Sequence, residues 1–100
     1  MAKRKIIWSH RAKISRYEIL KFYIERNKSN AYSKKLNKLI NKNLRLLLKF
    51  PDIGIKTEIE NVYGLIIENL IVYYEISKEL IIIHYVWDSR QDPNNLIIKP

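Results

Sequence analysis

One hundred residues, 47% of them apolar, provide enough chain for one hydrophobic core and no second domain, so residues 1–100 are expected to form a single unit. Nineteen Lys and Arg against 10 Asp and Glu give a formal charge of +9, a field that draws polyanions, acidic protein segments or anionic surfaces. No cysteine and only two histidines, His10 and His84, exclude disulfide staples and thiolate metal sites and leave no metal or other cofactor expected.

Lys3-Arg4-Lys5 is followed by only three consecutive apolar residues, too few for a signal-peptide core. No run approaches the ~18 apolar residues of a membrane span, so a soluble, cytoplasmic protein with no membrane partner is expected. Lys5-Ile6-Ile7-Trp8 reads as a short strand, and Ser9 is placed to cap a helix beginning at His10. Ala12, Ile19, Phe22 and Tyr23 recur at helical spacing beside a charged face of Arg11, Lys13, Glu18, Lys21 and Glu25. Asn27-Lys28-Ser29-Asn30 interrupts the pattern. A second stripe of Tyr32, Leu36, Leu39, Ile40, Leu47 and Phe50 follows and is stopped by Pro51. So short a connection makes the helices antiparallel neighbours. Lys34, Lys35, Lys38, Lys42, Arg45 and Lys49 make the second helix strongly basic, with nothing acidic between Lys28 and Lys49 to neutralise it.

Past Pro51, Ile53-Gly54-Ile55 reads as a turn. β-Branched and aromatic residues then dominate from Ile59 to Trp87, broken at Glu68-Asn69 and Ser77-Lys78-Glu79, which predicts three strands in an antiparallel meander. In the strand from Leu70, alternation turns Leu70, Val72, Tyr74 and Ile76 toward the helices and Ile71, Tyr73, Glu75 and Ser77 outward. The strand from Leu80 is apolar on both faces, with Leu80, Ile82, His84 and Val86 on one and Ile81, Ile83, Tyr85 and Trp87 on the other. That places it inside the sheet and implies a cover for its outward side: a partner chain, a nucleic-acid target or the tail from Leu96 to Pro100. The fold class expected is α+β, ordered β-α-α-β-β-β, with an antiparallel helix hairpin packed on one face of a small, mainly antiparallel sheet.

Three landmarks follow in order: Ile6-Ile7-Trp8-Ser9-His10-Arg11-Ala12, Phe50-Pro51-Asp52-Ile53-Gly54 and Trp87-Asp88-Ser89-Arg90-Gln91-Asp92-Pro93. With the element order, they resemble the RelE/ParE family of toxins from bacterial type II toxin-antitoxin systems, over nearly the whole chain. The resemblance implies a growth-arresting toxin neutralised by a cognate antitoxin. RelE-like members cut messenger RNA in the ribosomal A site, and ParE-like members block DNA gyrase.

Metal-free cleavage of RNA needs a base for the 2′-hydroxyl, cations for the phosphorane and an acid for the leaving oxygen. The RelE-like solution puts Lys and Arg on the meander strands, but the matching positions here are Gly64, Ile66 and Ile71, and Tyr63 stands where many members carry an arginine. Arg90, His84, Tyr85 and Lys56 remain as candidates for a metal-independent endoribonuclease. The resemblance therefore tilts toward ParE-like inhibition of a protein target such as gyrase, with a ribosome-dependent mRNA endonuclease, an inactive toxin remnant and a small basic nucleic-acid-binding module as alternatives. Whether the chain is an enzyme stays open. Candidate contacts for target or antitoxin are Ile71, Tyr73, Ile83, Tyr85, Tyr63, Lys42, Arg45 and Lys49.

Structural readings stand beside these. Arg90, between Asp88 and Asp92, suits a local ion pair as well as a phosphate contact. His84, inside an apolar strand, suits a hydrogen-bonded core histidine. Trp8 and Trp87 suit core or sheet-edge packing.

Overall fold

A computed structural model describes residues 4–90. It contains β1 (Lys5–Trp8), α1 (His10–Asn27), α2 (Ala31–Leu47), β2 (Ile55–Lys56), β3 (Val62–Ile67), β4 (Leu70–Ile76) and β5 (Leu80–Asp88). The sheet runs β1-β5-β4-β3-β2, with β1 parallel to β5 and the other neighbours antiparallel. This is the expected α+β arrangement, enlarged by one strand. Ile55, read as the end of a turn, and Lys56, read as loop, pair with Gly64 and Tyr63 and form the far edge of the sheet.

Ser9 caps α1 as its sequence position predicts. Its backbone is extended, its Oγ accepts from the Ala12 N–H at 3.0 Å, and the hydroxyl donates to the His84 carbonyl at 3.1 Å. The cap thereby ties the helix start to β5. At the other end Lys28 takes the left-handed conformation (φ 51), and its N–H and that of Ser29 both return to the Ile24 carbonyl, which closes α1 before α2 begins. Ser33 Oγ then donates to the Leu20 carbonyl at 2.6 Å and holds the two helices together.

Between the helices and the sheet lies a core built on Ala12, Ile19, Leu36, Ile40, Leu44 and Leu47 from the helices and Leu65, Leu70, Val72, Tyr74, Ile81, Ile83 and Val86 from the strands. Two expected core members sit elsewhere. Phe22 is exposed and lends its ring edge to Tyr23, because Ser15, Ile19 and Tyr23 define the buried line of α1. Phe50 is 54% exposed, because α2 ends at Leu47 and the chain turns away before Pro51.

Gly54 permits a close approach that fixes β2. A Cβ there would lie 2.7 Å from Tyr74 Oη and 3.0 Å from the Gly64 carbonyl oxygen. In its place the Gly54 N–H donates to Tyr74 Oη at 3.0 Å, and Tyr74 donates onward to the Pro51 carbonyl at 2.7 Å. The first meander strand starts at Val62 and not at Ile59, since Thr57 Oγ1 gathers the carbonyls of Ile59 and Val62 and the N–H of Ile59 into a loop.

The main departure from the expected faces occurs in β5. Tyr73 pairs with Tyr85 and Tyr74 with Ile83, so His84 is an extra residue, a β-bulge. Inward side chains are therefore Ile81 and Ile83 before the bulge and Val86 and Asp88 after it, whereas strict alternation put Ile83 outward and Val86 on the opposite face. Ile83 is 0% exposed and belongs to the helix-facing core.

Candidate functional site

The sheet face turned away from the helices is predominantly apolar. The register places Ile7, Val62, Gly64, Ile66, Ile71, Tyr73, Ile82 and Trp87 on it, with Glu75 and His84 as its ionisable pair. Ile66 at 57%, Ile55 at 50% and Ile7 at 46% are its most open large side chains. Ile71 and Tyr85 are half-buried. Tyr73, expected to be an outward contact, is fully covered: its ring lies over Gly64, where an added Cβ would meet Tyr73 Cε1 at 3.4 Å, and its hydroxyl is buried without a hydrogen-bond partner. Burial pushes the Tyr73 phenol above its ordinary pKa. Tyr63 lies on the opposite, helix-facing side, stacked on Tyr74 with ring centroids 5.6 Å apart. The proposed cover by Leu96 to Pro100 lies outside the described residues.

The four candidate catalytic residues occupy different parts of this frame. His84 Nε2 lies 2.7 Å from Glu75 Oε1, a half-exposed pair on the outer face. The Tyr85 ring sits under the Arg11 guanidinium at 4.8 Å, in a groove lined by His10, Arg11, Ile14, Ser15 and Glu18. Lys56 is on β2, three strand positions from β5, which at ~4.8 Å per strand is roughly 14 Å. Its surroundings are Thr57, Ile59, Glu60, Asn61, Val62 and Tyr63.

Arg90 sits at the opposite end of β5 from its start, where α1 ends and α2 begins. Its Nη2 donates to Tyr32 Oη at 3.0 Å and its guanidinium lies 4.9 Å from the Tyr23 ring centre, beside an open cleft of about 260 Å³ that Arg26 and Asn27 also line. The expected ion pair with Asp88 is not what forms. Asp88, 3% exposed, is occupied by the Tyr23 hydroxyl at 2.6 Å, Asn69 Nδ2 at 2.6 Å and the Arg90 backbone N–H at 2.9 Å. Asp92 lies outside the described residues. Burial first, and then the hydrogen bond to Asp88, raise the Tyr23 pKa.

Sequence reasoning missed this cluster of Tyr23, Tyr32, Asn69 and Asp88. Its members come from two helices, a hairpin turn and a strand end, and the only available signal was Asp88 at the close of an apolar strand. Lys42, Arg45 and Lys49 stand exposed on α2 and the turn beyond it. Among the described residues, no group of three or more His, Asp or Glu side chains could hold a metal ion, and no helix is long and apolar enough to cross a membrane.

A family model described as "ParE toxin of type II toxin-antitoxin system, parDE" matches residues 6–93. Among solved structures, one from the chromosomal ParDE TA system of P. aeruginosa superposes with a TM-score of 0.73 at 16% identity, covering 86% of this chain and 96% of that one. TrmO from Pseudomonas aeruginosa is matched with a TM-score of 0.49 at 20% identity, covering 87% of this chain and 36% of that one. No curated protein matches the sequence.

Proposed function

Because this chain belongs to the ParE toxin family of type II toxin-antitoxin systems, we propose that it arrests growth by binding a protein target, DNA gyrase in the first instance, and that chemistry on a substrate is not required. A cognate antitoxin is its partner. The whole of residues 1–100 acts as one toxin domain, in the cytoplasm, where gyrase is found.

The observation that carries this reading is the dispersal of the candidate catalytic groups. Cleaving a phosphodiester without metal requires a base, an acid and at least one cation converging within hydrogen-bond reach of one phosphate. Here His84 is paired with Glu75, Tyr85 with Arg11, Arg90 with the two tyrosines, and Lys56 lies across the sheet. An apolar outer sheet face bounded by exposed Ile7 and Ile66 suits capture of a protein segment instead, since desolvating apolar area is the main source of such affinity. We assign the antitoxin contact to that face, with half-buried Ile71 and Tyr85 as further contacts.

Titrating purified chain into a gyrase supercoiling assay tests the proposal, with messenger RNA translated in a reconstituted system as the parallel arm. Dose-dependent loss of supercoiling with intact message is expected. Codon-phased breaks in the message, with supercoiling untouched, would overturn it. For the antitoxin, Ile66→Glu places a charge on the exposed face and should weaken the complex at least tenfold in calorimetric titration, while unaltered affinity removes the assignment.

A further inference from the structure

The helix layer carries a second surface, on the side of the molecule away from the sheet. Lys34, Lys38, Lys42 and Arg45 are spaced by four, four and three residues, and Lys35 stands beside them. At 3.6 residues per turn these five cations fall within an arc of about 100° and extend over roughly 16 Å of the helix. The opposite arc holds Ser33, Leu36, Ile40, Leu44 and Leu47, all buried. All five cations are exposed, and no acidic residue occurs anywhere in α2. Among the described residues, the one Lys or Arg paired with a carboxylate is Lys21, with Glu25 at 4.0 Å, and it lies on α1. Among the described residues, nothing compensates the stripe.

We propose that this stripe binds the phosphate backbone of duplex DNA without reading its sequence. Several features select that occupant. A row of cations four residues apart matches a ligand that presents regularly spaced charge, and B-form DNA carries about one negative charge per 1.7 Å of its axis. The stripe is a convex helix face, a shape that the roughly 12 Å major groove of B-DNA admits and the deep, narrow groove of A-form RNA does not. No aromatic side chain stands among the five cations, so the stacking platforms that hold single strands are missing from it. An acidic amphipathic protein segment would need apolar anchors, and the shallow groove along the stripe offers Leu39 and Ala31 between Lys34, Lys35, Lys38 and Lys42. This DNA contact goes beyond the gyrase proposal and does not depend on it: a chain that fails to inhibit gyrase is still expected to bind duplex.

Fluorescence anisotropy of a labelled 20-base-pair DNA duplex, titrated with the full chain between 50 and 200 mM salt, tests the inference. Five neutralised phosphates predict a slope of log K against log salt near −4.5, which is a loss of roughly 500-fold in affinity across that range. The triple variant Lys38→Gln, Lys42→Gln, Arg45→Gln keeps good helix formers at exposed positions, and its fold is checked by circular dichroism. It should flatten the slope to about −2 and cut the loss to roughly tenfold. Lys5→Gln with Lys78→Gln, exposed on β1 and in the turn between β4 and β5, should leave the slope as it is. The inference is overturned if the triple variant keeps the wild-type slope, or if an RNA duplex, a single strand or polyglutamate of equal charge binds as tightly as the DNA duplex.

Discussion

Replacing Tyr23 by Phe isolates one atom of the buried cluster that joins α1 to the end of β5. The Tyr23 hydroxyl donates to Asp88 Oδ2 at 2.6 Å, and the carboxylate is 3% exposed, so water cannot take the place of the lost donor. Asn69 Nδ2 and the Arg90 N–H both bind Oδ1 and leave Oδ2 to tyrosine. The phenyl ring retains its edge contacts with Phe22 and Tyr32, each at 5.0 Å between centroids, so packing is nearly unchanged. What is lost is a hydrogen bond to a charged acceptor, about 1.5–3 kcal/mol where the acceptor stays buried. In a domain of this size that corresponds to a fall in Tm of roughly 8–16 °C, taking 2 kcal/mol as the centre.

Urea denaturation at pH 7 should show a lower midpoint and an unchanged m value. The alkaline limb adds a second reading. The folded-state pKa of Tyr23 is raised, so between its unfolded value near 10 and that higher value the unfolded chain ionises while the folded chain keeps its proton. Stability contributed by the protonated phenol is therefore complete below pH ~10 and lost as pH rises through the folded value. Phe cannot ionise, so the stability gap between wild type and Tyr23→Phe should narrow above pH ~10. A loss under about 0.5 kcal/mol at pH 7, or a gap that widens in alkali, would refute the assignment of Tyr23 as the donor that satisfies Asp88.

Tyr73→Phe should have the opposite sign: its hydroxyl is buried without a partner, so removing it should raise stability by about 1 kcal/mol in urea denaturation, and a loss would mean that the hydroxyl is bonded. Glu68 occupies a left-handed conformation (φ 56) in the two-residue turn between β3 and β4. Glu68→Gly should relieve the side-chain clash of that conformation, about 1–2 kcal/mol, against roughly 0.5–1 kcal/mol of added chain entropy, and so raise Tm by a few degrees, with a lowered Tm excluding this account.

Much of the architecture was legible because its signals are local. Ser9 followed by an amphipathic run, the polar interruption at Asn27 to Asn30, and Pro51 after the second stripe each act over one or two helical turns, and the helices form where these signals place them. The two meander turns at Glu68-Asn69 and Ser77 to Glu79 are likewise marked by polar residues between apolar runs. The fourth meander strand was not legible. Ile55 and Lys56 are strand residues because Gly54 lets the backbone close on Tyr74 and the Gly64 carbonyl, a contact 20 residues away in sequence.

The site was less legible because a single inserted residue decides which way half of β5 faces. Counting by twos with Ile83 outward misplaces Ile81 and Ile83 and agrees with the structure for Val86 and Trp87, since His84 adds one residue opposite Tyr73. The cause lies outside the strand. β1 pairs with β5 only as far as Ile83, and beyond it the edge of β5 is satisfied by α1: Ser9 N–H donates to the Ile83 carbonyl, Ser9 Oγ to the His84 carbonyl, and the Val86 N–H donates to Ser15 Oγ. Two serines one helical stretch apart thus substitute for a strand. The resulting shift puts Asp88 on the same inward face as Ile83, where it meets Tyr23. One consequence follows for any test of the outer face: Tyr73→Glu reports the cost of a buried charge and not a lost contact, whereas Ile66→Glu acts on a side chain that is already in solvent.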